Sequence, residues 1–156
     1  MKQYNCNFIS AMPCNLYGPN DRLDLETSHV IPALITKFHK AKINFEKEIP
    51  VWGTGIARRE FLYVDDLVEA LYFLMENYDY KPYLNIGYGA EVTMKELFDT
   101  ISEVVNYRGE LKYDTTKPDG TISKLIDSTK IRELGWSPKI DLKTGLQNTY
   151  TWYLNV

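Results

Sequence analysis

A lone histidine heads the stretch "LETSHVIPALITKFHK", residues 25–40, and imidazole is the side chain best suited to moving protons near neutral pH. Ile31, Leu34, Ile35 and Phe38 recur at i, i+3, i+4 and i+7, which predicts an amphipathic helix with His29 outside its apolar stripe. Two roles stand open for His29: a solvated residue at a helix start, or an acid/base. A second stretch, "GYGAEV" after "YLNI", carries two glycines of a dinucleotide fingerprint. Val92 replaces the third, and no acidic residue follows a strand at the expected ~20 residues, so it reads as a plain strand-to-helix turn. Asp65 and Asp66 invite a metal, but both open a helix and are better explained as cap and dipole partners. Cys6 and Cys14 stand eight residues apart with no CxxC and no neighbouring histidine, which points to reduced thiols and to no structural metal.

The elements that must position these groups alternate. "NFISAM" reads as a buried strand closed by Pro13 and ending near "PCNLYGPND", and functional loops often begin at such strand ends. A helix from about His29 is followed by "EIPVWGTG", a strand running into a Gly turn, and by "RREFLYV", a second extended piece. Val64 to Tyr78 is the strongest helix, with Leu67, Ala70, Leu71, Leu74, Met75 and Tyr78 on one face and Asp66 with Glu69 in capping-box spacing. After the strand "YLNIGYG", Thr93 and Glu96 form another capping box and open a helix to about Asn106, with Met94, Leu97, Ile101, Val104 and Val105 inward. "GELKYD" is a short strand and "TTKPDGT" a turn built on Pro-Asp-Gly. "DSTKIREL" is a short helix stopped by Gly135, and a last helix runs from about Asp141 to Tyr153. The pattern is α/β, yet about five short strands are too scattered for a full doubly wound sheet, as in part of something larger.

With 156 residues, 44% of them hydrophobic and 25% charged, the chain can bury a core of its own as a soluble globular unit. A net charge of −3 gives no general attraction for phosphate backbones, which disfavours nucleic acid. No apolar run approaches the roughly 18 residues a membrane span needs, and residues 1–4 lack an apolar signal core. The expectation is a cytoplasmic protein without nucleic-acid or membrane partners.

"PCNLYGP" and "WGTGIARREFLYVDDL", in this order, resemble the carboxyl-terminal half of the extended short-chain dehydrogenase/reductases that act on nucleotide sugars. Together with "SHVIPALITKFHKA", "TTKPDGT" and "LGWSPKIDLKTGL" the pattern narrows to the GDP-L-fucose synthases, the GDP-4-keto-6-deoxymannose epimerase/reductases. Five separated motifs agreeing in order and spacing make the resemblance specific, and it covers essentially the whole chain. Its implied fold is the α/β substrate-binding part of a Rossmann-type enzyme, keeping edge strands of the nucleotide-binding sheet. The resemblance implies a chain about twice as long, whose first half holds the Gly-rich phosphate loop, a Tyr-x-x-x-Lys pair with its serine, and a cysteine acid/base. Residues 1–156 then form a single fragment, mainly substrate-binding domain, without the NADP-binding Rossmann half, and alone catalytically silent.

The same resemblance makes His29 the acid/base partner of that cysteine and sets it near the nicotinamide. Epimerisation needs such a group, because a carbon beside a ketone loses a proton on one face and regains one on the other. Pro13, Cys14, Asn15 and Leu16 correspond to the segment against the nicotinamide half of NADP(H); by residue type alone, Asn15 in a strand-ending turn that bonds its own backbone serves equally. For the GDP-sugar substrate, diphosphate needs cations and guanine a flat apolar face, which nominates Lys37, Arg59 and Trp52, and also Lys124, a surface lysine by type that only the resemblance brings in. Arg58, next along a strand from Arg59, points the other way. Asp119 matches a substrate contact, although an Asp serving its own turn explains it as well.

The expected whole is an epimerase/reductase that inverts two carbons flanking a C4 ketone and reduces that ketone with NADPH to give GDP-L-fucose. The partners are then the GDP-sugar and the missing half, with a full-length homodimer formed through helices of that half. Rival readings are an epimerase or reductase for another nucleotide sugar, and a non-catalytic remnant whose twelve tyrosines and three tryptophans form a nucleotide or partner surface.

Overall fold

The computed structural model describes residues 6–24, 27–79 and 83–156. The amino-terminal tetrapeptide read above for a signal core, and Leu25 and Glu26 ahead of His29, lie outside them.

The described residues build eight short strands and five helices: β1 (Ala11–Pro13), β2 (Asn15–Tyr17), α1 (Val30–Ile43), β3 (Glu48–Trp52), β4 (Arg58–Arg59), β5 (Phe61–Tyr63), α2 (Val64–Asn77), β6 (Leu84–Ile86), β7 (Val92–Thr93), α3 (Met94–Val105), β8 (Glu110–Asp114), α4 (Thr129–Glu133) and α5 (Leu142–Tyr153). They pair two by two, in parallel for β1–β6, β2–β5 and β3–β8 and antiparallel for β4–β7. The α/β reading therefore holds. The first strand differs from its reading: it spans only Ala11–Pro13, with Phe8 outside it and both Phe8 and Met12 exposed rather than buried, and the chain does not leave the sheet at Pro13 but changes partner there. Pro13 stays in register with Ile86, the Cys14 N–H reaches the Ile86 carbonyl at 3.0 Å, and Asn15 then pairs with Phe61. A proline lacks only the donor, so it is tolerated where a ladder ends and the next begins.

Strand β5 divides the interior. Phe61 and Tyr63 face a core with Tyr17, Ile35, Phe38, Leu97, Ile101 and Leu146, while Leu62 faces a second core with Leu74, Ile86, Ile131 and Trp136. Period-two alternation with both faces buried makes this segment apolar throughout. Helix α1 carries Pro32 in its first turn, where the missing N–H costs no intrahelical bond. Its stripe buries Ile31, Ile35 and Phe38, and half-buried Leu34 packs on the same core.

Thr93 and Glu96 form the complete capping box at α3, each side chain bonding the other's backbone N–H. The box read at α2 does not form. That helix starts at Val64 with Tyr63 as its N-cap, and buried Asp66 instead accepts the backbone N–H groups of Lys139 and Ile140 at 3.1 and 3.0 Å. Asp65 and Asp66 do lie in the first turn, where the helix dipole favours them. On the same helix Ala70, Leu74 and Tyr78 are buried as read, whereas Leu71 and Met75 are exposed alongside Val68 and Tyr72. Leu71 and Met75 lie on the face turned away from the β5–β6 core, so the apolar arc is wider than the surface these residues cover.

Candidate active site

Two adjoining cavities, of about 600 and about 550 Å³, open where β2, β3, β4 and the start of α1 converge. Asn15, Val30 and Phe61 line both, so the two share a wall.

The larger cavity has an apolar floor of Ala33, Leu34, Val51, Ala57, Met94 and Phe98, rimmed by Lys37, Trp52, Arg59 and Asp119. Alternation along β3 buries Ile49 and Val51 and turns Trp52 outward, leaving it 70% exposed with the Lys117 ammonium 5.8 Å from its ring centroid. A large flat ring, exposed at the mouth of an apolar cavity, is a platform for a planar base. The Arg59 Nη1 donates to the carbonyls of Arg58 and Thr121 at 2.7 and 2.6 Å, which fixes the guanidinium at the rim. Lys37 reaches the Pro50 carbonyl, and burial lowers its ammonium from the usual lysine range.

Asp119 serves its own loop. Its carboxylate takes the Thr54 N–H at 2.7 Å and the Thr54 hydroxyl at 2.8 Å, bonds that hold its carboxyl below the usual range. This closes the turn after β3, where Gly53 adopts φ 76° and a Cβ would sit 2.3 Å from the Asp119 carboxylate. Asp119 still lines the cavity, so both readings of it meet in one residue.

The smaller cavity is lined by Cys14, Asn15, Leu16, Asp21 and His29 among others. His29 is the N-cap position of α1 without capping it through its side chain. Its ring is 79% exposed, and Nδ1 lies 3.3 Å from each oxygen of Asp21. Burial, and then the nearby Glu60 charge, push the Cys14 thiol up to about 12, so it stays protonated. The Asn15 amide donates to the Glu60 carbonyl at 2.7 Å rather than to its own turn. Pro13 lies in β1, just outside this lining.

Lys124 is not brought in. It is exposed and outside the lining of both cavities, because Glu91 binds its backbone N–H and the Ser123 hydroxyl at 2.8 Å each. Arg58 turns from the cavity, donating to the Glu91 carbonyl at 3.2 Å. Three acidic residues of this region escaped the sequence reading: Asp21, Glu60 and Glu91. Glu60 carried a signal, a lone carboxylate inside an apolar strand pattern. The "GYG" turn serves this group, since the Gly89 N–H binds Glu60 at 2.7 Å. Among the described residues no cluster of His, Cys, Asp and Glu could hold a metal ion, and no helix is long and apolar enough to cross a membrane.

Parallel strand pairs joined through helices, with a cleft at their ends walled by an exposed tryptophan, cations and an imidazole, fit the Rossmann-type α/β class of the extended short-chain dehydrogenase/reductases. The chain belongs to the NAD dependent epimerase/dehydratase family, whose model matches residues 1–87. It is 54% identical over 97% of its length to the probable GDP-L-fucose synthase 1 of Oryza sativa subsp. japonica. A GDP-6-OMe-4-keto-L-xylo-heptose reductase from C. jejuni superposes with a TM-score of 0.90 at 35% identity, covering 99% of this chain and 56% of that one. A GDP-L-fucose synthetase from Naegleria fowleri bound to NADP superposes with a TM-score of 0.89 at 30% identity, covering 95% of this chain and 47% of that one. The chain spans about half the length of the curated relatives it matches, 46% for the rice protein.

Proposed function

We propose that this chain is the substrate-binding part of a GDP-sugar 3,5-epimerase/4-reductase, converting GDP-4-keto-6-deoxy-D-mannose to GDP-L-fucose with NADPH. The observation that carries this reading is the wall of Asn15, Val30 and Phe61 common to both cavities. A nucleotide whose base rests on Trp52 and whose diphosphate meets Lys37 and Arg59 would present its sugar across that wall to His29. Asp119 would meet the nucleoside side of the ligand, and Lys124 would join only if its segment swings inward.

His29 would take a proton from a carbon beside the ketone or return one to it, the hydrogens there being acidified by the carbonyl. The group on the opposite face, the phosphate loop and the proton donor to the reduced ketone would come from sequence outside these 156 residues. Pro13, Cys14, Asn15, Leu16 and His29 would hold the nicotinamide end of NADP(H). The residues fit it: the Cys14 thiol stays protonated and the Asn15 amide is already satisfied, so neither sets a charge against the ring. When bound, NADPH supplies the hydride for the ketone. Such chemistry suits the cytoplasm, where reduced nicotinamide is kept.

The similarity to a heptose reductase supports a second reading, reduction or epimerisation of another GDP-linked sugar on the same scaffold. Ranking GDP, UDP and dTDP by the thermal stabilisation of this chain tests what both readings share. GDP raises the melting temperature most if the proposal holds. Equal effects, or none, would remove the nucleotide-sugar assignment. The chain alone oxidises no NADPH with keto-sugar, and steady oxidation would show that the catalytic set is complete here.

A further inference from the structure

The smaller cavity contains a carboxylate that the reaction as outlined leaves without a task. We propose that Asp21 is a positioning residue that fixes the tautomer of His29, holding the proton on Nδ1 and leaving Nε2 as the nitrogen that exchanges protons with the sugar. This rests on reading His29 as the acid/base.

The geometry has four parts. The Asp21 carboxylate straddles Nδ1, with both oxygens at 3.3 Å, and only 20% of its side chain is exposed against 79% for the ring. Its own orientation is set by the main chain, because Oδ1 accepts the Arg22 N–H at 2.8 Å just after Asn20 turns the backbone through φ 67°. Among the described residues, the other carboxylate of this loop is committed elsewhere: Asp24 takes the Thr27 N–H and hydroxyl at 2.7 Å and pairs with Arg22 at 3.2 Å. On the far edge of the ring, Nε2 has no hydrogen-bond partner among the described residues, and both Asp21 and His29 face the same cavity.

A neutral imidazole carries one ring proton, and the free side chain favours Nε2 for it. A carboxylate is acceptor only, so beside Nδ1 it reverses that preference. The basic lone pair is then on Nε2, as it must be for a base reaching a carbon. When a C–H bond beside the ketone breaks, its electron pair moves to the ketone oxygen as an enolate and the proton arrives on Nε2. The resulting imidazolium lies against the Asp21 charge, and the same proton can return by the reverse path. Without Asp21 the favoured tautomer would point an N–H at the carbon, and only the minor tautomer would offer a base there.

The test is the nitrogen NMR signature of the two imidazoles in the 156-residue chain, which distinguishes protonated from unprotonated ring nitrogens. In the neutral ring the expected result is Nδ1–H with unprotonated Nε2 for His29. Asp21→Ala makes Nε2–H the major form and Asp21→Glu restores the wild-type pattern. His39, whose Nδ1 lies 3.0 Å from the Tyr150 hydroxyl, keeps its signals in both variants and reports an intact fold. An Nε2–H His29 in the wild-type chain, or a pattern that ignores Asp21→Ala, overturns the inference even if a variant fails to fold. Loss of GDP selectivity with the Asp21-dependent tautomer intact would instead overturn the functional reading and leave the pair standing.

Discussion

Replacing Glu60 by glutamine is the most informative single perturbation of the scaffold. Glu60 is wholly buried, and its two oxygens accept the backbone N–H groups of Gly89 at 2.7 Å and Ile126 at 3.1 Å. It thereby ties β5 to the turn after β6 and to the segment carrying Lys124. The fit is close, since a Cβ on Gly87 would lie 2.4 Å from a Glu60 oxygen. Glu60→Gln keeps the shape but turns one end into a donor facing a donor. One charge-assisted bond is lost, worth about 1.5–3 kcal/mol, and the other becomes a neutral bond worth about 1 kcal/mol less. Burying an amide costs less than burying a carboxylate, which offsets part of this, so the net loss is about 2–3 kcal/mol. At about 2–4 °C per kcal/mol for a chain of this size, the melting temperature falls by about 5–10 °C. Thermal and urea unfolding read the loss, and faster amide exchange at Gly89 and Ile126 locates it. Glu60→Leu, which leaves both N–H groups bare, is worse again. A Glu60→Gln chain melting with the wild type, or a Leu variant no worse than Gln, would refute the reasoning.

Trp52→Ala weakens GDP binding roughly tenfold, from a base-stacking contribution of about 1–3 kcal/mol, and leaves the melting temperature unchanged because the ring is exposed; calorimetry that finds unchanged affinity places the base elsewhere. Cys14, pushed up to about 12, resists iodoacetamide in the folded chain through pH 9 and labels on unfolding, so fast native labelling would contradict its burial. Hydrogen bonds from Thr93, Thr116, Thr54, Thr129 and Thr144 hold Glu96, Asp114, Asp119, Asp127 and Asp141 below their ordinary carboxylate values. Depressed folded values stabilise above the unfolded ones, so the urea midpoint declines as pH drops below about 4, and a midpoint that rises there reverses the sign.

Local features were the legible ones. The Thr93–Glu96 box, the αL stop at Gly135 and the stripe of α1 depend on neighbours within a turn or two, and each appears where its spacing places it. Long-range partners were not legible. The capping-box spacing at Asp66 is real, but the buried carboxylate found a stronger use in two backbone donors over seventy residues away. The change of partner at Cys14 depends on β5 and β6 arriving from later in the chain, so Pro13 looked like an end. His29 could be singled out by type, whereas Asp21 could not. Eight residues apart in a loop, they come within 3.3 Å of each other, which neither residue type nor spacing announces.

The central claim is that one ligand spans both cavities across Asn15, Val30 and Phe61. Titrating the chain with GDP and with GDP-L-fucose, while following the Trp52 indole and His29 ring signals, tests it directly. GDP should move Trp52 alone and the sugar nucleotide should move both. A sugar nucleotide that shifts Trp52 and leaves His29 untouched would contradict it.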